Sequence, residues 1–459
     1  MKTMIPLTLT AFLAVGCTQE SGRASNTEAA DAKASALYTK EISSKAFSQS
    51  VRLTHDEEDL RILGKSFFSV PWVEAPSATT ARDGLGPLFS ANTCKHCHPN
   101  NGAGVPTDAN GNVSRALVMR LSLSNIKNIN NDLIVKNGFA PEPVYGGQLS
   151  VNGTSDVDYE GRVEVRYETI EGRYADGTAY ELQNPSYILS DLNYGAMNAH
   201  VNVAPHIALA LIGLGHIEQI ADAEILKNED VNDSDNDGIS GKANWVYSPE
   251  TNTTQLGRYT WKAAAASVRH QSANAALNDM GLTNPLYPNE NCTASQADCR
   301  EAPKGRGDFD LTAQRLDAIA FYLRSLKIPA QRHNSNFEAG EKIFERLGCT
   351  GCHVERFTTR EGVEIYPYSD FLLHDMGEAL GDGHTMFMAT QTEFRTPPLW
   401  GIGLYEKVSG DLALLHDGRA RTVEEAILWH DGEARQHKEA FKTLSRQERQ
   451  TLVDFIKGI

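Results

Sequence analysis

Apolar positions recur at helical spacing in two matching places along the chain. Ala339, Ile343, Phe344 and Leu347 share one face of a helix that begins near Phe337. Leu316 to Leu326 forms a second amphipathic segment, stopped by Pro329. Leu452 to Ile456 forms another at the C-terminus, after the capping-box sequence Ser445-Arg-Gln-Glu448. A helical pattern also begins at Leu60. Strand-like alternation is confined to the stretch between, at Val163 to Tyr167 and Ala179 to Leu182, with Gly-rich turns around it. The expected fold is therefore mainly α. It comprises two units, 46–329 and 330–459, the first enlarged by β-hairpin and loop insertions. Residues 18–45 are poor in large apolar groups and read as a flexible tether. The apolar run from Met4 to Val15 is too short to span a bilayer as a helix.

The candidate chemistry sits where the helices meet. Cys94-Lys-His-Cys97-His98 and Cys349-Thr-Gly-Cys352-His353 both read C-x-x-C-H, the spacing of covalent c-type haem attachment. Two thioethers and one axial ligand must reach a single macrocycle, with His98 and His353 beneath the two irons. A zinc site built from two C-x-x-C pairs would leave both histidines unexplained. A short helix entering such a motif and an amphipathic helix closing the unit is the plan of a small cytochrome c. The units thus read as two cytochrome c-like haem domains in tandem. The stretch from His98 to Leu316 is far longer than a bare cytochrome needs, so the first unit carries extra structure.

The other cysteines fit one oxidising compartment. Cys17 ends Leu13-Ala-Val-Gly-Cys17, a lipobox-like close to a signal peptide spanning 1–17. Ordinary cleavage of the leader is the competing reading. Cys292 and Cys299 enclose a polar six-residue loop and are most simply a disulfide in an exported chain. The implied location is periplasmic, with the membrane reached only through the lipid anchor. A formal charge of −16 argues against nucleic acid as partner and is compatible with a basic redox protein. Asp233-Ser-Asp235-Asn-Asp237-Gly238 matches the first half of a calcium loop, but Asn244 stands at the twelfth position where Glu is usual. A calcium site completed by other ligands and an uncoordinated acidic turn are both open.

The chain resembles the bacterial dihaem oxidoreductases described as peroxidases or thiol oxidoreductases. These are related to dihaem cytochrome c peroxidases and to the dihaem enzymes that mature methylamine dehydrogenase. The likeness covers roughly 60–459. It rests on Arg82-Asp-Gly-Leu-Gly-Pro-Leu-Phe89, Leu211-Ile-Gly-Leu-Gly215, Asp237-Gly-Ile-Ser-Gly241 and Gly257-Arg-Tyr-Thr-Trp-Lys262. In the second unit it rests on Leu373-His-Asp-Met-Gly377, Arg395-Thr-Pro-Pro-Leu-Trp-Gly401 and Leu415-His-Asp-Gly-Arg419. In the peroxidase relatives a His-x-Gly turn precedes the sixth ligand of the second haem, usually a methionine. Counting onward from His416 by the same interval reaches His430, so the second haem looks bis-histidine, with Met376 as the rival ligand. His416 itself then suits a haem propionate or the backbone rather than iron, and Arg395 and Arg419 suit haem propionates.

For the first haem no spacing selects a sixth ligand, although Met119, His200, His206, His216 and His270 lie in the same unit. The resemblance implies an acid near that haem, for which Glu218 is the candidate, beside Gln219; a charge on a helix surface is the alternative. It also implies an electron relay between the haems, for which Trp261 is the candidate; a core tryptophan is the simpler alternative. The expected activity is peroxidase-like. A small periplasmic cytochrome or cupredoxin would supply electrons through the second haem, and peroxide or another small oxidant would react at the first. The alternatives are a non-enzymatic dihaem electron-transfer cytochrome and a dihaem oxidase of a protein or thiol substrate.

Overall fold

The computed structural model of the chain describes residues 36–124 and 131–459. The leader, Cys17 and the tether up to residue 35 lie outside the described residues. No helix among the described residues is long and apolar enough to cross a membrane.

Two pairs of crossed helices frame the two motifs. In the first, His55–Ser69 lies across Ala313–Arg324. The N-terminus of His55–Ser69 is fixed by a capping box, in which Thr54 Oγ1 accepts from the Glu57 amide and Glu57 returns to the Thr54 amide at 2.8 Å. In the second pair, Phe337–Arg346 lies across Arg446–Gly458, which is capped in the same way by Ser445 and Glu448. Each crossing is close because a glycine stands at the contact. A Cβ on Gly64 would overlap the Ala318 carbonyl, and one on Gly340 would meet Thr451 O at 2.6 Å. Gly64→Ala is therefore expected to destabilise the fold, since a helix-propensity gain of about 1 kcal/mol is set against an overpacking cost of about 1–3 kcal/mol or more. Denaturant unfolding of the variant checks this, and a rise in stability would show that the helices can separate at no cost.

The fold is mixed rather than mainly α: 30% of it is helix and 21% strand. The short alternating segments at 163–167 and 179–182 belong to one long antiparallel hairpin, Arg162–Arg173 with Ala179–Ser190. Its outer positions are exposed, so hydrophobic alternation marks only part of its length. Leu117–Leu123 pairs with Val201–Ile207, and every sheet among the described residues is a two-stranded ribbon. Ribbons this narrow cannot bury both faces and depend on packing against the rest of the chain.

The hairpin does not stay with the first unit. At its tip the Ala175 amide donates to Lys442 O at 3.0 Å, and Asp176 pairs with the buried Arg449 at 2.9 Å. Arg449 also lies over the Tyr174 ring at 3.7 Å. The acidic loop is similarly displaced toward the second motif. Ile239 packs where a Cβ on Gly351 would stand, which explains the small residue inside Cys349-Thr-Gly-Cys352. One apolar cluster runs from Ala46 to Ile459, across the expected division at 329 and 330. There Tyr38–Thr39 pairs in parallel with Ile328–Pro329.

Candidate functional site

Each C-x-x-C-H motif opens into its own cavity. In the second, Cys349–Gly351 forms a tight turn after Phe337–Arg346, placing Cys349, Cys352 and His353 on the cavity wall. His353 Nδ1–H donates to Tyr368 O at 2.9 Å, leaving Nε2 available. His430 ends the helix Val423–Trp429, and its Nδ1–H donates to Ala426 O at 2.6 Å. Anchoring one ring nitrogen on a carbonyl fixes both tautomer and orientation, as metal-ligating histidines require. The His353 and His430 rings lie 6.5 Å apart, centre to centre. Two imidazoles bonded to one metal at about 2 Å each have ring centres roughly 6 Å apart, so the spacing fits a shared iron. Met376 lines the same cavity without this pairing.

In the first cavity, Thr93 caps the short turn Cys94–Cys97, and His98 Nδ1–H donates to Leu209 O at 2.8 Å. Burial pushes both His98 and His353 down to about 4, which keeps them in the neutral, ligating form. The ring packed nearest His98 is Phe68, at 6.4 Å, and no second imidazole pairs with His98 among the described residues. The helix Val268–Met280 lines the cavity with Gln271, Ser272, Ala275 and Ala276. The cysteines of both motifs are free of disulfides. Unbridged cysteine pairs, single-anchored histidines and apolar walls fit covalently held haem in both places.

The two cavities share a wall made by Ile207, Trp261, Arg395, Pro397, Pro398 and Tyr405. Trp261 Nε1–H donates to Ile207 O at 2.8 Å, which holds the indole in that wall. Arg395 is buried, and its guanidinium donates to the carbonyls of Thr260 and Thr396 without meeting a carboxylate. Burial lowers its pKa to about 10. Arg120 lines the first cavity and makes no side-chain hydrogen bond or ion pair among the described residues. A buried cation with no contacting anion is costly, so Arg395 suits a carboxylate group of a cofactor; Arg120 shares the first cavity with the carboxylate of Asp279, which favours its charge.

Several expected residues are placed elsewhere. Glu218 lines neither cavity; it is paired with Arg324 at 2.5 and 3.1 Å and accepts from the Val268 amide at 2.7 Å. It caps a helix and neutralises an arginine, and both oxygens are engaged. Gln219 is likewise outside both cavities. Arg419 is turned inward onto Asp417 at 2.8 Å and Ala379 O at 2.7 Å, so it does not reach a cavity. His416 does line the second cavity, with its Nε2 buried and without a hydrogen-bond partner among the described residues. Of the five unassigned residues of the first unit, only His206 lines the first cavity.

Asp233, Asp235 and Asp237 offer oxygens within 4.8 Å of one another. They accept from the amides of Gly238, Asp237 and Ile239 respectively. Asn244 is buried and bonded to Lys262 O, Met386 O and the Met388 amide, so it is no twelfth ligand. Cys292 and Cys299 are joined by a disulfide.

Sequence reasoning also missed His374, which lines the second cavity between Asp370 at 2.7 Å and Glu433 at 2.8 Å. Burial works against its charge, but Asp370 foremost holds the imidazole well above its ordinary range. The motif Leu373-His-Asp-Met-Gly377 was the only signal for it.

Comparison with known proteins places these features. No curated protein matches the chain. Among solved structures, a chain of Kuenenia stuttgartiensis hydrazine synthase pressurised with 20 bar xenon is 22% identical, covering 38% of this chain and 65% of that one, with a TM-score of 0.25. The match thus spans less than two thirds of that chain's length, and at that score it carries no argument. A family model described as "Di-haem oxidoreductase, putative peroxidase" matches residues 26–459. The chain belongs to this family of di-haem oxidoreductases.

Proposed function

We propose that the protein is an exported, lipid-anchored c-type dihaem peroxidase, in which the second haem receives electrons and the first meets the oxidant. The observation that carries this reading is the asymmetry of the cavities: His353 faces His430 across 6.5 Å, and His98 faces no second imidazole among the described residues. Cys94 and Cys97 would hold one haem by thioethers, Cys349 and Cys352 the other. When bound, haem supplies reversible one-electron chemistry and, where a coordination position is open, a place for peroxide. The remaining work falls to the chain. Paired histidines suit storage and transfer of electrons at the second motif. Trp261, in the shared wall, is positioned to pass them toward the first, and Arg395 suits haem carboxylates from the same wall.

Electrons would come from a small periplasmic cytochrome or cupredoxin. The anchor would be a lipid on Cys17 after removal of a leader. A calcium ion on Asp233, Asp235 and Asp237 would be structural, set beside the second motif by Ile239. The test is to mix the holoprotein with hydrogen peroxide and record haem spectra and oxidation of a reduced small cytochrome. The expected result is a high-spin haem that reacts and sustains turnover. Two low-spin haems inert to peroxide would overturn the reading in favour of plain electron transfer.

A further inference from the structure

Behind the shared wall lies a buried charged cluster built on Lys262, Asp382 and His206. Lys262 is fully buried, and its ammonium meets Asp382 at 3.1 Å and the carbonyls of Thr390 and Glu393 at 3.1 and 3.0 Å. The other oxygen of Asp382 accepts from His206 Nε2–H at 2.8 Å. With Nε2 protonated, Nδ1 of the neutral ring carries a lone pair, and it makes no hydrogen bond among the described residues. His206 lines the first cavity. Its ring lies 6.0 Å from that of His416, which lines the second. The cluster therefore reaches both cavities through imidazoles, with a lysine and a carboxylate behind them.

We propose that His206 is the proton-accepting group of the two-haem unit: when one electron is added, Nδ1 takes up one proton from solvent and the ring becomes an imidazolium paired with Asp382. This rests on haem being present in both cavities. The balance is simple, because the electron from an added chemical reductant and the proton from water leave the net charge of the unit unchanged. Adding negative charge to a water-poor cavity raises the proton affinity of a nearby base.

The groups facing His206 set where this occurs. Burial lowers its pKa first, Asp382 opposes that, and Lys262 and Arg120 lower it further. His384, 6.4 Å away ring to ring, and His416 are themselves held down by burial, to about 3 and about 4, and stay neutral. His206 is the imidazole of the three with a carboxylate in contact, so it gains most from becoming charged.

The experiment is a redox titration of the full-length holoprotein between about pH 5 and 9, read from haem spectra without peroxide. The wild-type potential of the first haem is expected to fall with pH, approaching a tenfold change in equilibrium constant per pH unit, about 59 mV. His206→Gln keeps an amide N–H for Asp382 and is expected to flatten that slope while leaving both haem spectra intact. His416→Gln is expected to keep the slope. An unchanged slope in His206→Gln overturns the proposal and assigns the proton to a haem carboxylate. If that variant does not fold, proton uptake on reduction by a reduced viologen, a one-electron donor that releases no proton of its own, is compared between the weakly buffered wild-type protein and His206→Asn. Uptake in the wild type that is lost in His206→Asn supports the proposal, and uptake retained in that variant, or absent from the wild type across the same range, overturns it. Absence of haem spectra altogether would instead defeat the dihaem reading, and lack of peroxide turnover would touch only the choice of oxidant.

Discussion

Replacing His430 by Ala is expected to convert the haem proposed at Cys349 and Cys352 from low spin to high spin, while the other haem keeps its wild-type signals. The argument is geometric. His430 Nδ1 is fixed to Ala426 O at 2.6 Å, so the ring cannot turn away, and Nε2 is directed at the space shared with His353. Removing the imidazole removes one of two strong axial nitrogens and puts nothing in its place. Added imidazole should restore the low-spin spectrum by filling the gap. His430→Met tests the same position more gently. A thioether there should keep the haem low spin and raise its potential, because axial-ligand identity is a main lever on potential. Met376 offers the internal control. It lines the same cavity, so a low-spin haem that survives His430→Ala but is lost in Met376→Ala would transfer the assignment to the thioether.

The residues that made the sequence legible were those whose chemistry depends on local spacing. Cys94 to His98 and Cys349 to His353 are complete within five positions, and the capping box at Ser445 and Glu448 within four. Glycine at 64 and 340 is explicable only when the crossing helix is known, since what it spares is a contact with Ala318 or Thr451. The fold class was misjudged because the long hairpin is exposed along most of its length, and exposed strands lose the alternation that marks them. Glu218 was open for a similar reason: a carboxylate beside a glutamine reads equally as an acid or as a helix charge, and its pairing with Arg324, far along the chain, is visible only in the fold. The hexapeptide Gly257-Arg-Tyr-Thr-Trp-Lys262 reads as a motif in the sequence, yet its content is spatial. Arg258 ties down Ile217 O and Ile220 O, Tyr259 donates to Leu214 O, Trp261 enters the wall, and Lys262 reaches Asp382. No periodicity encodes that division of labour.

Asp382→Ala is expected to cost about 3–5 kcal/mol of stability, as much as truncating a large core side chain. The carboxylate compensates a lysine that has no solvent exposure, and it accepts from His206 as well. Without it, Lys262 retains two carbonyls and the face of Phe394 at 4.0 Å, but no contacting anion. Burial alone would raise the Asp382 pKa; the His206 hydrogen bond and Lys262 reverse this and hold it well below the carboxylate range. A depressed carboxyl stabilises the folded state above its unfolded pKa near 3.8 and loses that contribution only as pH falls below it. The wild-type advantage over Asp382→Ala should therefore be complete at neutral pH and shrink in acid. Lys262→Met should cost less, because His206 can protonate and take over the pairing with Asp382. The double variant Lys262→Met with Asp382→Leu removes both charges and replaces them with apolar bulk. It should recover most of the loss, since a buried ion pair contributes little net stability once its desolvation is counted. Denaturant unfolding of the wild type, Lys262→Met, Asp382→Leu and the double variant, all as holoproteins, closes the cycle and gives the coupling. Losses that simply add in the double variant would mean that each charge is compensated by its other neighbours, and that Asp382 is not what keeps Lys262 tolerable inside the protein.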